Sequence, residues 1–293
     1  MHKSALIMSS FTAAMLVLAG GVVLIAQRQT QTQTVTGMVV EVNPSERVLV
    51  VSHDPVPGVM PAMIMPFDVR HEADLRGLTP GTIVSFTVRA NSAAAYAEDL
   101  RVVRYQSVEQ DPLAVRRLRL LRSARAAAQL DVNQTVPDFT LTDQAHKRIA
   151  LSQLRGKVVV MNFIYTSCAL PQFCYRMTNH FGVIQNRFAG RDLVLLSVTF
   201  DPGRDTPERL ADYARQWKAD AARWHFLTGS SGEIERVAAM FGLDYFPDEG
   251  LINHSVHTVV IDRAGRLRTN VEGNRFTAQQ LGDLVKAALD RRE

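Results

Sequence analysis

Cysteine is nearly absent from this chain: its 293 residues contain two, Cys168 and Cys174. So low a count excludes a disulfide-stapled scaffold, and a chain of this length buries ordinary cores without staples. Excess charge is also small. The formal net charge of +4 is spread along the sequence and points to no nucleic-acid partner. Charged residues are missing altogether from Ser4 to Gln27, and a bilayer-spanning helix needs about 20 such apolar residues. Because this run has no good small-x-small exit for cleavage, residues 1–28 are expected to form an uncleaved membrane helix. Acid is missing between Asp111 and Asp131, where Arg116, Arg117, Arg119, Arg122 and Arg125 alternate with Leu113, Leu118, Leu120 and Leu121. That pattern predicts a basic amphipathic linker helix within 106–131, its leucines packed on a neighbour rather than on lipid headgroups.

What is present divides into two patterns. Between residues 35 and 105, short alternating runs at Thr36–Val42, Arg47–Ser52, Ile64–Val69, Thr82–Val88 and Leu100–Val103 are separated by Pro, Gly and Asn turns. Five short strands without a long helical period predict a small OB-like β-barrel. The aromatic and basic groove that a nucleic-acid-binding barrel requires is missing. From 132 to 293, apolar strand runs alternate with helical periods, which predicts an α/β domain with a largely parallel sheet. A cysteine loop directly after the core run Val158–Tyr165, opening a helix, is the thioredoxin-like arrangement.

Two thiols at a helix N-terminus can close a disulfide or grip a soft metal, and the terminus favours the thiolate form that both uses need. Five residues separate Cys168 from Cys174, against two in an efficient thioredoxin redox loop. Thioredoxin-type oxidoreductases place a proline beside the dithiol in the loop before a later strand. This chain has no proline after Pro247 and carries Asn253-His254-Ser255 there instead. An imidazole facing two thiolates gives a Cys2His donor set, suited to Cu(I), with Zn(II) as the common competitor. Asp201-Pro202-Gly203-Arg204-Asp205 reads as a strand exit, with Asp205 or Thr206 capping a helix that begins at Pro207.

Phe163-Ile164-Tyr165-Thr166-Ser167-Cys168 through Cys174, Thr199-Phe200-Asp201-Pro202-Gly203-Arg204-Asp205, and Asn253-His254-Ser255 occur in the order of the Sco/SenC copper metallochaperones, which residues 132–290 resemble. The resemblance implies a thioredoxin fold, membrane anchoring, and Cu(I) held by Cys168, Cys174 and His254. It also implies delivery to an acceptor such as the binuclear copper site of cytochrome c oxidase subunit II. The departure is the cysteine spacing, five residues where that family has three, with Tyr175 in place of a proline after the second cysteine.

The barrel has soft donors of its own. Met63 and Met65 alternate, so they share one face of a strand, and His53 and Met60 flank them across a proline-pinned loop. Thioether and imidazole together suit Cu(I). Residues 35–104 resemble the small periplasmic copper chaperone of the Cus efflux system, which implies His53, Met63 and Met65 as ligands, with Met60 on or beside the position of that family's capping tryptophan. His71, His146, His180 and His225 show no partner pattern and are read as core or surface, and His257 as standing at most behind the ligands.

The combined expectation is an inner-membrane-anchored Cu(I) chaperone with its soluble domains in the periplasm. The alternative is a thiol-disulfide reductase that uses Cys168 and Cys174 to keep an acceptor's cysteines reduced. A peroxiredoxin activity requires Thr-x-x-Cys, which Thr166-Ser167-Cys168 does not supply.

Overall fold

Five strands, β1 (Gln33–Asn43), β2 (Val48–His53), β3 (Met63–Val69), β4 (Ile83–Ala90) and β5 (Ala95–Val102), close in the order β1-β2-β3-β5-β4. The computed structural model describes residues 33–90, 95–103, 113, 116–118, 120–121, 128–248 and 251–291. Closure works because β1 is long enough to pair with both β2 and β4, across a bulge between Val39 and Glu41. The barrel is filled by Val39, Leu49, Val51, Phe67, Val84 and Phe86, all at most 1% exposed. Phe67 and Phe86 meet edge to face at 4.8 Å, the geometry that aromatic quadrupoles favour.

The second layer is a seven-stranded sheet in the order β14-β13-β8-β9-β10-β6-β7. A hairpin of β6 (Thr140–Asp143) and β7 (Arg148–Ala150) lies at one edge, and β13 (His257–Ile261) with β14 (Leu267–Glu272) at the other. Between them run β8 (Val158–Ile164), β9 (Leu193–Thr199) and β10 (Trp224–Thr228). Every residue of β8 and β9 is buried, which explains their near-continuous apolar runs. Side chains alternate between two cores. Val158, Val160, Leu193 and Leu195 face one side, with α1 (Arg176–Arg187), α2 (Pro207–Gln216) and α4 (Ala278–Asp290). Val159, Met161, Val194 and Leu196 face the other, with α3 (Ser231–Met240).

The expectation of a largely parallel sheet is corrected here: β8–β9 and β9–β10 are parallel, while β13–β8, β13–β14, β10–β6 and β6–β7 are antiparallel. Short links, such as Asp262 to Arg266 between β13 and β14, leave no room for a crossover, so those neighbours run antiparallel. A further two-stranded hairpin, β11 (Tyr245–Asp248) with β12 (Leu251–His254), stands outside the main sheet.

Barrel and sheet belong to one compact unit, Gln31–Glu293. Val39 points into the barrel while its neighbour Met38 joins the core beneath α4. Ser52 Oγ donates to Asp283 Oδ2 at 2.7 Å, and Arg187 donates to Asp283 Oδ1 at 2.6 Å. Gln280 Nε2 donates to the Ser52 carbonyl at 3.2 Å and to Asp54 Oδ1 at 3.1 Å. Ser52, Gln280 and Asp283 are buried and satisfied by one another and by the half-buried Asp54 and the exposed Arg187, which lets an otherwise costly set sit between two cores. Gly81, at φ +92°, passes under Thr269, whose hydroxyl donates to the Pro80 carbonyl.

The expected membrane segment from Ser4 to Gln27 lies outside the described residues. Among the described residues, no helix is long and apolar enough to cross a membrane. Of the expected linker helix, 113, 116–118 and 120–121 are described and helical. Leu118 and Leu121 pack on Phe246, and the Arg117 guanidinium lies 4.4 Å above that ring. Leu113 and Leu120 remain exposed.

A Cβ at Gly81 would fall 2.1 Å from Thr269 Oγ1, whereas at Gly77, also at positive φ, it would meet nothing within 4 Å. Gly81→Ala is therefore expected to lower the unfolding free energy by about 2–4 kcal/mol and Gly77→Ala by about 1 kcal/mol, as urea denaturation would measure.

Candidate metal site

Strand β8 delivers its C-terminus to the cysteine loop. Tyr165 follows it, buried, and the Cys168 amide donates to the Tyr165 carbonyl at 3.3 Å. The chain then enters a π-helical turn, Pro171–Tyr175, that runs directly into α1. Cys174 sits in this wide turn, its carbonyl accepting the Thr178 hydroxyl at 2.7 Å. A π turn accommodates extra residues without breaking the helix, so the long spacing between the cysteines is absorbed here.

The two thiols are free and unlike. Cys174 is buried, Cys168 half-buried. The Cys174 thiol donates to Cys168, and with bonds from Tyr165 and the loop backbone this lowers the Cys168 pKa to about 6 despite partial burial. Cys174 moves well up, because the hydrogen bond holds its proton and burial opposes a second charge beside the first. The pair therefore keeps one proton at neutral pH, with the thiolate on the accessible sulfur.

His254 ends strand β12 and is 9% exposed, so the expected loop histidine is in fact a buried strand residue. Phe200, Tyr165 and Phe173 surround its ring at centroid distances of 4.7, 5.9 and 6.4 Å. Burial lowers its pKa to about 4. Nδ1 donates to the Ser255 carbonyl at 2.7 Å, which fixes the neutral tautomer and leaves Nε2 as the basic nitrogen. Tyr165 is the bridge between loop and hairpin: its hydroxyl bonds both Cys168 and the Ile252 backbone, and its ring meets His254 edge-on. Phe173, within the π turn, makes the second link. Among the described residues, no three His, Cys, Asp or Glu side chains are gathered closely enough to hold an ion. His254 and the dithiol share an aromatic neighbour: Tyr165 bonds Cys168 and lies against the His254 ring, with Phe173 on another side of that ring.

Of the two candidate caps, Asp205 has a different task. It caps nothing, since Thr206 performs that task for α2 by accepting from the Arg209 amide. Asp205 is fully buried and accepts from the Thr166 amide and hydroxyl and from Thr199 Oγ1, tying the exits of β8 and β9 to the start of the cysteine loop. Arg209, 3.8 Å away, balances its charge. Two threonines at strand ends facing a second aspartate were the available signal.

In the barrel, His53 and Met63 are directly opposed across β2 and β3, with Met65 opposite Val51. Phe67, Met65 and Met63 therefore climb one face from core to mouth, and Met63 reaches 42% exposure. Met60 packs against the same core from the turn that bridges to Val56. His53 is 1% exposed, and its Nδ1 donates to the Asp54 carbonyl at 2.7 Å. Its Nε2 has no hydrogen-bond partner among the described residues. A buried acceptor left without a donor is costly in a native protein, and a cation among thioethers would satisfy it.

The titration order of the thiols can be checked directly. Alkylation of Cys168 by iodoacetamide should rise with pH to half its plateau near pH 6, because the thiolate reacts and is populated above the pKa. Cys174→Ala should move that midpoint upward, and Tyr165→Phe should do so by less.

The sequence model of the SCO1/SenC family matches residues 127–289, and that of the copper binding periplasmic protein CusF matches residues 32–100. A SCO1 protein homolog of Bacillus subtilis is 34% identical over 110 residues, 36% of this chain and 56% of that protein. A SCO2-like protein of Rickettsia typhi is 32% identical over 138 residues, 44% of this chain and 65% of that one. Neither alignment reaches two thirds of the relative's length. A SCO1/SenC family lipoprotein structure from Bacillus anthracis is 26% identical, covering 53% of this chain and 95% of that one, with a TM-score of 0.49. The cysteine loop, the Asp205 anchor and the His254 hairpin all lie within the stretch that the first model spans, more than half of the sequence, and the chain belongs to the SCO1/SenC family.

Proposed function

We propose that this chain is a Cu(I) metallochaperone that holds one ion at Cys168, Cys174 and His254 and a second at His53, Met63 and Met65, with Met60 shielding the latter. The carrying observation is the pairing of an asymmetric dithiol with a buried, neutral imidazole through a shared aromatic neighbour, Tyr165. Copper is the cargo in this reading. Cys168 is already a thiolate, and Cys174 gives up its proton to solvent when the ion arrives, since only thiolate ligates. Closing the site requires Tyr165 and Phe173 to give way so that His254 Nε2 reaches the sulfurs. An open resting site spares the free protein the repulsion of two buried thiolates. For the barrel, support comes from the unpartnered His53 Nε2 beneath two thioethers and from the copper-binding family whose model matches there.

The acceptor would be a protein site that presents cysteine or histidine donors, such as the binuclear copper site of cytochrome c oxidase subunit II. The apolar run from Ser4 to Gln27 would anchor the chain in the inner membrane, with barrel and dithiol in the periplasm.

A second activity is favoured by the thiol asymmetry alone. Cys168 thiolate attacks an acceptor disulfide, forming a mixed disulfide and expelling one acceptor thiolate. Cys174, once deprotonated, attacks the Cys168 sulfur, closing an internal disulfide and releasing the second acceptor thiol. The acceptor is reduced by two electrons and the dithiol oxidised by two.

Anaerobic Cu(I) titration against a competing chelator separates the readings. Wild type should bind about two equivalents, and His254→Ala about one, with dithiol oxidation retained. Unchanged binding in His254→Ala would remove that residue from the site. Replacing Met63 and Met65 together by leucine, close to volume-conserving, should remove about one equivalent and shift stability by less than about 1.5 kcal/mol. Two equivalents retained would make both methionines plain core residues.

A further inference from the structure

The hairpin of β11 and β12 carries His254 and forms a sheet of its own, apart from the seven-stranded one. Two strands of four residues each are marginal alone in water, so cover on both faces must hold them. The base of the hairpin is pinned: the Ser255 amide donates to the Asp244 carbonyl at 2.9 Å, and the Asp244 amide donates to Ser255 Oγ at 3.0 Å. Beyond that base, register and alternation sort the side chains. Tyr245 is paired with His254 and Phe246 with Asn253, so the first pair shares one face and the second pair the other.

The first face meets the dithiol side of the layered domain. Tyr245 lies 5.4 Å from Phe200, His254 lies 4.7 Å from Phe200 and 5.9 Å from Tyr165, and the Tyr165 hydroxyl bonds the Ile252 backbone. The opposite face belongs to neither main core. Phe246, 7% exposed, is covered by Leu118, 8% exposed, and by Leu121, with the Arg117 guanidinium 4.4 Å above its ring. Leu118 and Leu121 stand one turn apart and so present one face of the linker helix to Phe246, and the guanidinium adds a cation-π contact. The ligand hairpin is thus held between the dithiol site and the segment that joins barrel to sheet. This outer cluster is small and separate from the two cores, so it can loosen without unfolding them.

We propose that Leu118, Leu121 and Arg117 are positioning residues for the metal site: through Phe246 they hold the hairpin against Phe200 and Tyr165, so that the cysteine loop closes on an imidazole already in place. This rests on the reading of Cys168, Cys174 and His254 as one Cu(I) site. None of the three is a ligand. Their contribution is to meet in the free protein the ordering cost that a loose ligand strand would otherwise meet on binding. The segment between the two domains therefore sets copper affinity as well as connecting them, and a change at its helix is felt at His254 through one aromatic side chain.

The test uses the full chain, reduced and anaerobic, and substitutes the linker rather than the hairpin. Leu118→Ala should speed hydrogen exchange at the β11 and β12 amides by roughly tenfold or more, leaving the amides of β8 and β9 and the urea midpoint near wild type. Thiolate-to-copper absorption, followed against a competing Cu(I) chelator, reports the dithiol site separately from the barrel. By that signal Leu118→Ala should weaken Cu(I) binding by roughly fivefold or more, and Leu118→Met, close to volume-conserving, should restore most of it. Arg117→Ala, which removes only the cation-π contact, should act in the same direction by less. In a His254→Ala background, Leu118→Ala should change the affinity no further. Wild-type affinity or wild-type hairpin exchange in Leu118→Ala, or the same weakening with His254 already removed, overturns the positioning role while leaving the three-ligand site intact. If His254→Ala alone leaves the affinity unchanged, the three-ligand reading falls and the positioning role falls with it, whatever the exchange rates show.

Discussion

Asp205 is a carboxylate with no exposed surface, and the architecture around the dithiol depends on how it is satisfied. Burying such a group is prohibitive unless every lone pair is occupied. Here the Thr166 amide and hydroxyl, the Thr199 hydroxyl and the nearby Arg209 guanidinium share the task. The arrangement fixes where β8 ends, where β9 ends and where α2 begins. With those three points set, Tyr165 has one place to stand, and it positions both Cys168 and the hairpin that carries His254. Negative charge near the loop also helps to keep Cys174 protonated, adding to burial and to the neighbouring thiolate. The loop is thus tuned from behind, through Thr166 and Tyr165.

The two proposed donor sets face opposite problems. In the barrel, thioethers carry no charge and need no proton to leave, so a site open at its mouth is stable with Met63 in water. In the layered domain the dithiol holds one negative charge and one proton between its sulfurs, and under the proposed function an arriving ion would replace that proton. On that proposal, affinity at the dithiol would fall as protons compete for the sulfurs, whereas the thioethers of the barrel have no proton to lose.

Much of this was legible in the sequence. Alternation over short runs separated by turn residues gave four of the barrel strands within three residues of their observed ends, while β5 begins at Ala95, five residues before the run that was read. The buried runs Val158–Ile164 and Leu193–Thr199 could only be central strands. Strand direction was less readable, because a short link and a crossover look alike when the connecting residues are polar. The hairpin that holds His254 was missed for a similar reason: its strands are four residues each, too short to show a period. The cap of α2 was open between Thr206 and Asp205 in the sequence, because both types cap helices that start with proline, and the fold gives that position to Thr206. The π turn has no sequence signature beyond the unusual spacing itself.

Met38 and Val39 are neighbours on one strand and are sunk in different cores. Excising the barrel would therefore do more than shorten the chain. It would bare the socket that Met38 fills, strip Asp283 of Ser52, and open Gln280 to water. Two segments that resemble separate families in the sequence have lost their modularity in three dimensions, so neither can be transplanted without rewriting the surface of the other.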